Sequence, residues 1–225
     1  VPVYLRPTAP IAADAILVGD PGRALLLAQE LLEQPKMSNH ARGLWGYYGQ
    51  GTAAGQALTV QSTGIGGPSA ALVLADLAEL GVRRAVRVGT CVAVDPALAP
   101  GDLLVIEEAI AAGGSASAFG AAPGEAIRLE GELVERLGCE LGDRASGGAI
   151  ASVDAHPIAV EAPPGALALD MQTAPLLAQA RSFGIAVATI LIVTELAGQS
   201  TALGKDELED HERLAGRAAA AVLSA

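Results

Sequence analysis

The chain has 225 residues, a little above the usual length of one domain and short for two. With 51% hydrophobic and only 17% charged residues it can bury a sizeable core, which excludes disordered and collagen-like structure. Fourteen basic against 25 acidic residues give a net charge of −11, so the chain is a poor general binder of nucleic-acid backbones, although a local basic pocket for a small anion is still allowed. Aromatics are 3% of the chain, so the core is expected to be Ala, Val, Leu and Ile. No uninterrupted apolar run is long enough to predict a transmembrane helix, and residues 1–6 do not read as a signal peptide. Two cysteines, Cys91 and Cys139, make neither a disulfide framework nor a metal site. The expectation is a reduced, cytoplasmic setting, with no metal, no membrane and no nucleic-acid partner.

In chain order, residues 15–18 form a short apolar run closed by Gly19-Asp20-Pro21, and 23–33 follow as a helix. Residues 58–61 read as a strand. Gly64-Ile65-Gly66-Gly67-Pro68-Ser69 then opens a helix through Leu80, and Pro68 suits a first turn because its missing N–H would have no partner there. Residues 85–88 predict a buried strand closed at Gly89, and 103–109 another. An amphipathic helix is expected over 125–137, capped by Gly138. Residues 166–169 predict a strand, 173–183 a helix closed by Gly184, and 185–193 a β-branched strand buried on both faces. Residues 206–223 complete the pattern as a terminal amphipathic helix. Alternating strands and helices indicate one α/β domain over residues 1–225 with a parallel or mixed sheet. The stretches 111–123 and 157–165, rich in Gly, Ala, Ser or Pro, read as loops near a site.

Ligands of open α/β sheets bind at strand carboxyl ends, and four junctions there carry chemistry. In Gly19-Asp20-Pro21-Gly22-Arg23 a glycine lets a backbone N–H approach an anion and Arg23 can fork onto its oxygens; a turn with a solvated arginine is the bland alternative. Arg87 lies inside an apolar strand, followed by Thr90, and a charge there must be paired or used on a ligand. The glycines of 64–67 bring backbone near a ligand at a helix N-terminus, or simply pack strand on helix; their spacing is not that of a P-loop or dinucleotide fingerprint. Asp170-Met171-Gln172 and Thr194-Glu195 each follow an apolar run. Partial desolvation would raise the Glu195 carboxyl above its usual value of about 4.3 and suit it to general acid work, whereas a loop acid or helix cap is the alternative. His40, His156 and His211 have no metal-like spacing and form no relay with a serine. Trp45, Tyr47 and Tyr48 read as core of a strand, and Asp206, Glu207, Glu209, Asp210 and Glu212 as a solvated helix face.

Taken in series, Gly19-Asp20-Pro21-Gly22-Arg23, His40-Ala41-Arg42-Gly43, Ser62-Thr63-Gly64-Ile65-Gly66-Gly67-Pro68-Ser69, Arg87-Val88-Gly89-Thr90-Cys91 and Asp170-Met171-Gln172 resemble the family of hexameric purine nucleoside phosphorylases and uridine phosphorylases. The likeness runs from about Ala15 to Val222 and is greatest to bacterial purine nucleoside phosphorylases. It implies a three-layer α/β/α domain with a mixed central sheet. It also implies a pentosyltransferase reaction, in which inorganic phosphate is co-substrate, no cofactor is needed, and free base and ribose 1-phosphate are released. The phosphate site carries over onto Gly19, Arg23, Arg42, Arg87 and Thr90, the pentose site onto Met171, Gln172 and Tyr4, and the base site onto His156, Cys91 and Glu195. The resemblance implies Arg87 and Glu195 as the catalytic residues. Arg42 and Tyr4 would reach a neighbouring copy in a dimer-based hexamer.

The departures lie on the nucleoside side. A glutamate that binds the sugar in the family is Gln172 here, which lacks the charge that strengthens such bonds. A histidine that touches the sugar from the adjacent subunit has no counterpart nearer than Tyr4. His156 stands where an aromatic stacks on the base, an arginine assisting the purine-side acid is missing around Gly204-Lys205-Asp206-Glu207, and the stretch from 157 to 169 is short by about a helix. The expectation is purine nucleoside phosphorolysis with an altered nucleoside site. A uridine phosphorylase, a nucleosidase and a catalytically weakened phosphate- or nucleoside-binding homologue are the alternatives.

Overall fold

A computed structural model describes residues 1–53, 55–155, 161–199 and 202–224 of the chain. The apolar runs picked out by their glycine punctuation form the centre of one sheet. Strand β1 (Asp14–Val18) lies between β4 (Ala57–Ser62) and β5 (Arg84–Ala93), parallel to both. On its other edge β5 runs parallel to β10 (Ala186–Leu196), whose middle is buried on both faces, as a β-branched apolar run should be. Beyond β4 the sheet continues antiparallel through β3 (Gly46–Gly51) to the edge strand β2 (Leu32–Asn39).

Beyond β10 the sheet curls back on itself. β10 pairs antiparallel with β6 (Leu103–Ala111), β6 runs parallel to β8 (Ser146–Ser152), β8 parallel to β9 (Ala168–Asp170), and β9 closes antiparallel onto the end of β5. β7 (Ala126–Arg128) adds to the outer edge of β6. The sheet is mixed, as expected, and β5 stands where its open and closed parts meet.

Helices cover both faces. α1 (Pro21–Leu31), α4 (Glu132–Leu141) and α6 (Lys205–Leu223) bury Leu27, Leu137 and Ala219 against Ile16, Val60, Val86 and Ile190. α2 (Gly66–Glu79), α3 (Gly114–Ala118) and α5 (Thr173–Phe183) bury Leu74, Ala116 and Leu176 against Leu17, Ala85 and Leu191. Each fully buried leucine contributes about 1.5–3 kcal/mol, so the near absence of aromatics is offset by many aliphatic contacts. Among the described residues no helix is long and apolar enough to cross a membrane.

Several elements differ from the sequence expectation. The helix expected over 125–137 is instead β7 followed by α4. Gly131, with φ +111°, breaks the chain between them, and Gly138 lies inside α4 rather than at its cap. β5 does not stop at Gly89 but runs on to Ala93, because its end is paired by β9 on one side and β10 on the other. The glycine-rich strand β8 and the Pro35-containing strand β2 carry little β propensity and come from tertiary pairing, with Pro35 placed on the edge strand where a missing N–H does no harm. α3 forms within the predicted loop 111–123.

Candidate active site

The carboxyl ends of β1, β4, β9 and β10, with the middle of β5, surround one open cavity of about 670 Å³. Gly19, Arg23, Arg42, Arg87, Thr90, Cys91, Met171, Gln172 and Glu195 all line it, so the predicted residues from five separate stretches of chain converge. Tyr4 does not line it, and His156 lies outside the described residues.

Arg87 is the most constrained. It points from β5 toward the α2–α5 side and is only 3% exposed. Its Nη2 donates to Asp170 Oδ2 at 3.0 Å, Nη1 to Gln172 Oε1 at 2.9 Å and Nε to Thr173 Oγ1 at 3.1 Å. These bonds use three of the five N–H groups of a guanidinium. The side chain folds back over Gly89, where a Cβ would come within 2.7 Å of the guanidinium carbon, so the glycine two residues on is required for this pose. Burial lowers the Arg87 pKa, Asp170 opposes that, and the nearby Arg23 adds to the lowering. The question left by sequence, ion pair or anion ligand, is answered in part: Arg87 is ion-paired, and it also lines the cavity.

Asp170 is the hub beneath it. Its carboxylate also accepts from Ser152 Oγ at 2.5 Å, Thr173 Oγ1 at 2.6 Å and Thr173 N at 3.0 Å. Ser152 Oγ in turn accepts from Ala174 N at 2.8 Å, so the start of α5 is tied to β8 and β9 by the same network.

Arg23 follows Asp20, whose side chain caps α1 by accepting from Arg23 N at 2.9 Å. It is not the solvated arginine of the bland alternative. Its Nε lies 2.5 Å from Glu212 Oε1 of α6, with both side chains at least nine-tenths buried. Among the described residues its two terminal nitrogens carry no further bond, so they remain free for a ligand. Glu212, expected on a solvated face, is therefore a correction. It shares the helix face of Ala215, Ala219 and Leu223, which are buried, and that spacing was a readable signal.

Arg42 is exposed and held in a left-handed backbone conformation, φ +59° and ψ +18°, which is uncommon outside glycine. Its guanidinium sits 5.6 Å from the centre of the Tyr4 ring. Tyr4 is itself anchored, since Asp76 accepts from the backbone N–H groups of Val3, Tyr4 and Leu5. Arg42 is the one arginine of the predicted set with no carboxylate partner among the described residues.

Gln172 lines the cavity without presenting a free polar atom to it. Its amide donates to Gly64 O at 2.7 Å and reaches Gly66 O at 3.3 Å, while Oε1 accepts from Arg87 and lies 3.1 Å from Thr63 Oγ1. The hydroxyl acceptor expected for a sugar is thus already engaged by the protein.

Glu195, also in the cavity lining, is half-buried where the β10–β5 register slips after Val193. Its side chain carries no hydrogen bond or ion pair among the described residues. Thr194 Oγ1 donates to Cys91 O at 3.2 Å. Cys91 Sγ is buried, 3.7 Å from Ile192 O, and burial pushes its thiol pKa far above the ordinary value. Among the described residues no cluster of His, Cys, Asp or Glu is placed to hold a metal ion.

Residues 14–225 match the family model described as the phosphorylase superfamily. The DeoD-type purine nucleoside phosphorylase of Alkaliphilus metalliredigens is 31% identical over 85% of this chain and 87% of its own length. That of Oceanobacillus iheyensis is 38% identical over 44% of this chain, an alignment spanning only 42% of that relative. In three dimensions the chain superposes on uridine phosphorylase from Vibrio fischeri ES114 with a TM-score of 0.83, at 23% identity, covering 95% of this chain and 91% of the other. With a mixed, partly closed sheet and a cavity at its strand ends, the chain belongs to the phosphorylase superfamily, among the nucleoside phosphorylases, which are pentosyltransferases.

Proposed function

We propose that the chain cleaves a purine nucleoside by phosphorolysis. The observation that carries this reading is the make-up of the cavity wall: Gly19, Arg23, Arg42, Arg87 and Thr90 together with Glu195, whose side chain has no partner among the described residues. Phosphate held by the arginines and by the Gly19 and Thr90 backbone attacks the anomeric carbon. The C1′–N9 bond breaks with its electron pair going to the base, and the new C1′–O bond completes ribose 1-phosphate. The carboxyl of Glu195 donates its proton at N7 and so neutralises the leaving purine. The arginines act chiefly by positioning the nucleophile. Inorganic phosphate is the co-substrate, with no cofactor.

Glu195 favours a purine, because a pyrimidine has no N7 to protonate. The same reading takes residues 1–225 as one domain in a cytoplasmic, dimer-based hexamer serving purine salvage, where Arg42 and Tyr4, stacked together, are presented to a neighbouring copy. Met171 and Cys91 would pack on the pentose and the base, with His156 completing the base side.

A second reading has a specific basis. Because Gln172 is bonded wholly to the protein, the pentose lacks an expected partner, which favours a weakly active phosphate- or nucleoside-binding homologue. A panel of inosine, guanosine, adenosine and uridine with and without inorganic phosphate decides between them. Phosphate-dependent release of a purine is the expected result. Phosphate-dependent release of uracil alone would move the chain to the uridine branch, release without phosphate would make it a nucleosidase, and binding without turnover selects the second reading.

A further inference from the structure

We propose that Gln172 is a positioning residue of the anion site, acting through Arg87, and not a ligand of the sugar. The inference rests on the phosphorolysis reading for its kinetic consequence, but its geometric basis is independent. A primary amide offers two acceptor sites and two N–H groups. At Gln172 the protein surrounds all four: Arg87 Nη1 donates to the oxygen, Gly64 O and Gly66 O accept from the nitrogen, and Thr63 Oγ1 lies 3.1 Å from the oxygen with its one proton shared between Gln172 and Val18 O. The residue is 5% exposed, so none of these bonds is readily exchanged with water.

The orientation of the amide is dictated by its surroundings. The oxygen must face the guanidinium and the nitrogen must face two carbonyls; the flipped amide would set donor against donor and acceptor against acceptor. A Cβ built on Gly19 would lie 3.7 Å from Gln172 Oε1, so the side chain lies beside the end of β1. Gln172 therefore joins the turn after β1, the turn between β4 and α2, and Arg87 on β5. Arg87 is held from two sides, by a charge at Asp170 and by a neutral oxygen at Gln172.

Glutamine and glutamate are not interchangeable here. A glutamate would keep the bond to Arg87 but set its second oxygen at hydrogen-bond distance from Gly64 O with no proton between them. It would also add a negative charge beside Arg87, against an incoming phosphate. The glutamine leaves Arg87 with one carboxylate partner instead of two, and so preserves cationic character at the cavity wall.

Two variants, Gln172→Glu and Gln172→Met, test this by calorimetry with inorganic phosphate and by separate KM values for phosphate and nucleoside. Thermal unfolding checks that each variant is folded. Gln172→Met is expected to bind phosphate at least about tenfold more weakly, the scale of losing a hydrogen bond to a charged group, and Gln172→Glu to weaken binding by a similar factor because its added negative charge opposes the phosphate; the phosphate KM should rise accordingly in both. The nucleoside KM should change by less than about threefold. A Gln172→Glu protein with wild-type phosphate affinity and a lowered nucleoside KM would show a sugar ligand and overturn the proposal, as would wild-type phosphate affinity in Gln172→Met. If Gln172→Glu does not fold, Gln172→Met decides. Wild-type protein that binds phosphate but turns over no nucleoside would remove the reaction while the calorimetric comparison still judges Gln172. A wild-type protein that binds no phosphate overturns both.

Discussion

On the β1–β4–β5–β9 side of the cavity, Arg87, Asp170, Gln172, Thr173 and Ser152 hold one another through bonds of 2.5–3.1 Å, all buried. On the β10 side, Glu195 sits at a slip in the strand register with its carboxylate unpartnered among the described residues. The first region is preorganised: its dipoles and charges are fixed before any ligand arrives, which is how an anion site avoids reorganisation on binding. The second leaves a carboxylate with no partner among the described residues at a break in strand register, where the proposed reaction would use it. Charge follows the same division. Arg87 is balanced by Asp170 and Arg23 by Glu212, which leaves Arg42, of these three, as the guanidinium with no carboxylate partner among the described residues. An acidic protein can thus hold a cationic cluster together in the absence of its anion.

The sharpest way to break the contrast is to remove Arg87. Arg87→Met strands the buried Asp170 carboxylate and should cost about 3–5 kcal/mol in unfolding free energy, as breaking a buried pair does. Phosphate binding measured by calorimetry should vanish with it. Arg87→Met combined with Asp170→Asn removes the uncompensated charge, so it should recover much of the stability without recovering phosphate binding. If the double variant regains neither, the network serves packing as much as charge.

Glu195→Gln probes the other side. Loss of the general acid should lower kcat for a purine nucleoside by about 100-fold, in the range of 10²–10⁴ for such groups. Stability and phosphate affinity should be unchanged, because the carboxylate has no partner to lose among the described residues. A fall in phosphate affinity would mean that the two regions are coupled and that the division drawn here is wrong.

These two regions also differ in how far sequence alone revealed them. Strand β1, helix α5 and strand β10 were readable from periodicity and glycine punctuation, because one chain segment carries the whole signal. The junction residues Gly19, Arg23, Arg87 and Glu195 were readable because each follows or interrupts an apolar run. What sequence did not reveal was pairing across long separations. Asp170 lies 83 residues from Arg87 and Glu212 lies 189 from Arg23. No local pattern states such a partnership, although the buried stripe on α6 did place Glu212 inward. The closure of the sheet was hidden for the same reason: a strand at 166–169 was readable, but the glycine-rich β8 was not, and no local pattern states which strands they pair with.

Glu212→Gln gives a smaller effect on the preorganised side. The amide can still accept from Arg23 Nε but without charge, so the phosphate KM should rise by about fivefold, equivalent to roughly 1 kcal/mol for a weakened charge-assisted bond. The nucleoside KM should hold. An unchanged phosphate KM would show that Arg23 keeps its pose without α6.

The smallest expected effect concerns Cys91, which lies between the two regions. Its thiol is neutral in the fold because burial disfavours the thiolate, so it acts as an apolar wall rather than a nucleophile. In the unfolded chain it ionises near its ordinary value of about 8.5. Above that pH the unfolded state has lost a proton that the native state keeps, so stability falls as pH rises, by about 1.4 kcal/mol per unit for this one group. Below that pH the contribution is complete and flat. Cys91→Ala should remove this slope when unfolding free energies are compared between pH 8 and pH 10, and leave phosphate affinity within about twofold, since the thiol forms no bond to the arginine cluster. Iodoacetamide at pH 8 should label the exposed Cys139 in the native protein and reach Cys91 only on unfolding. Rapid native labelling of Cys91 would mean that this part of the cavity opens more widely than its buried thiol implies.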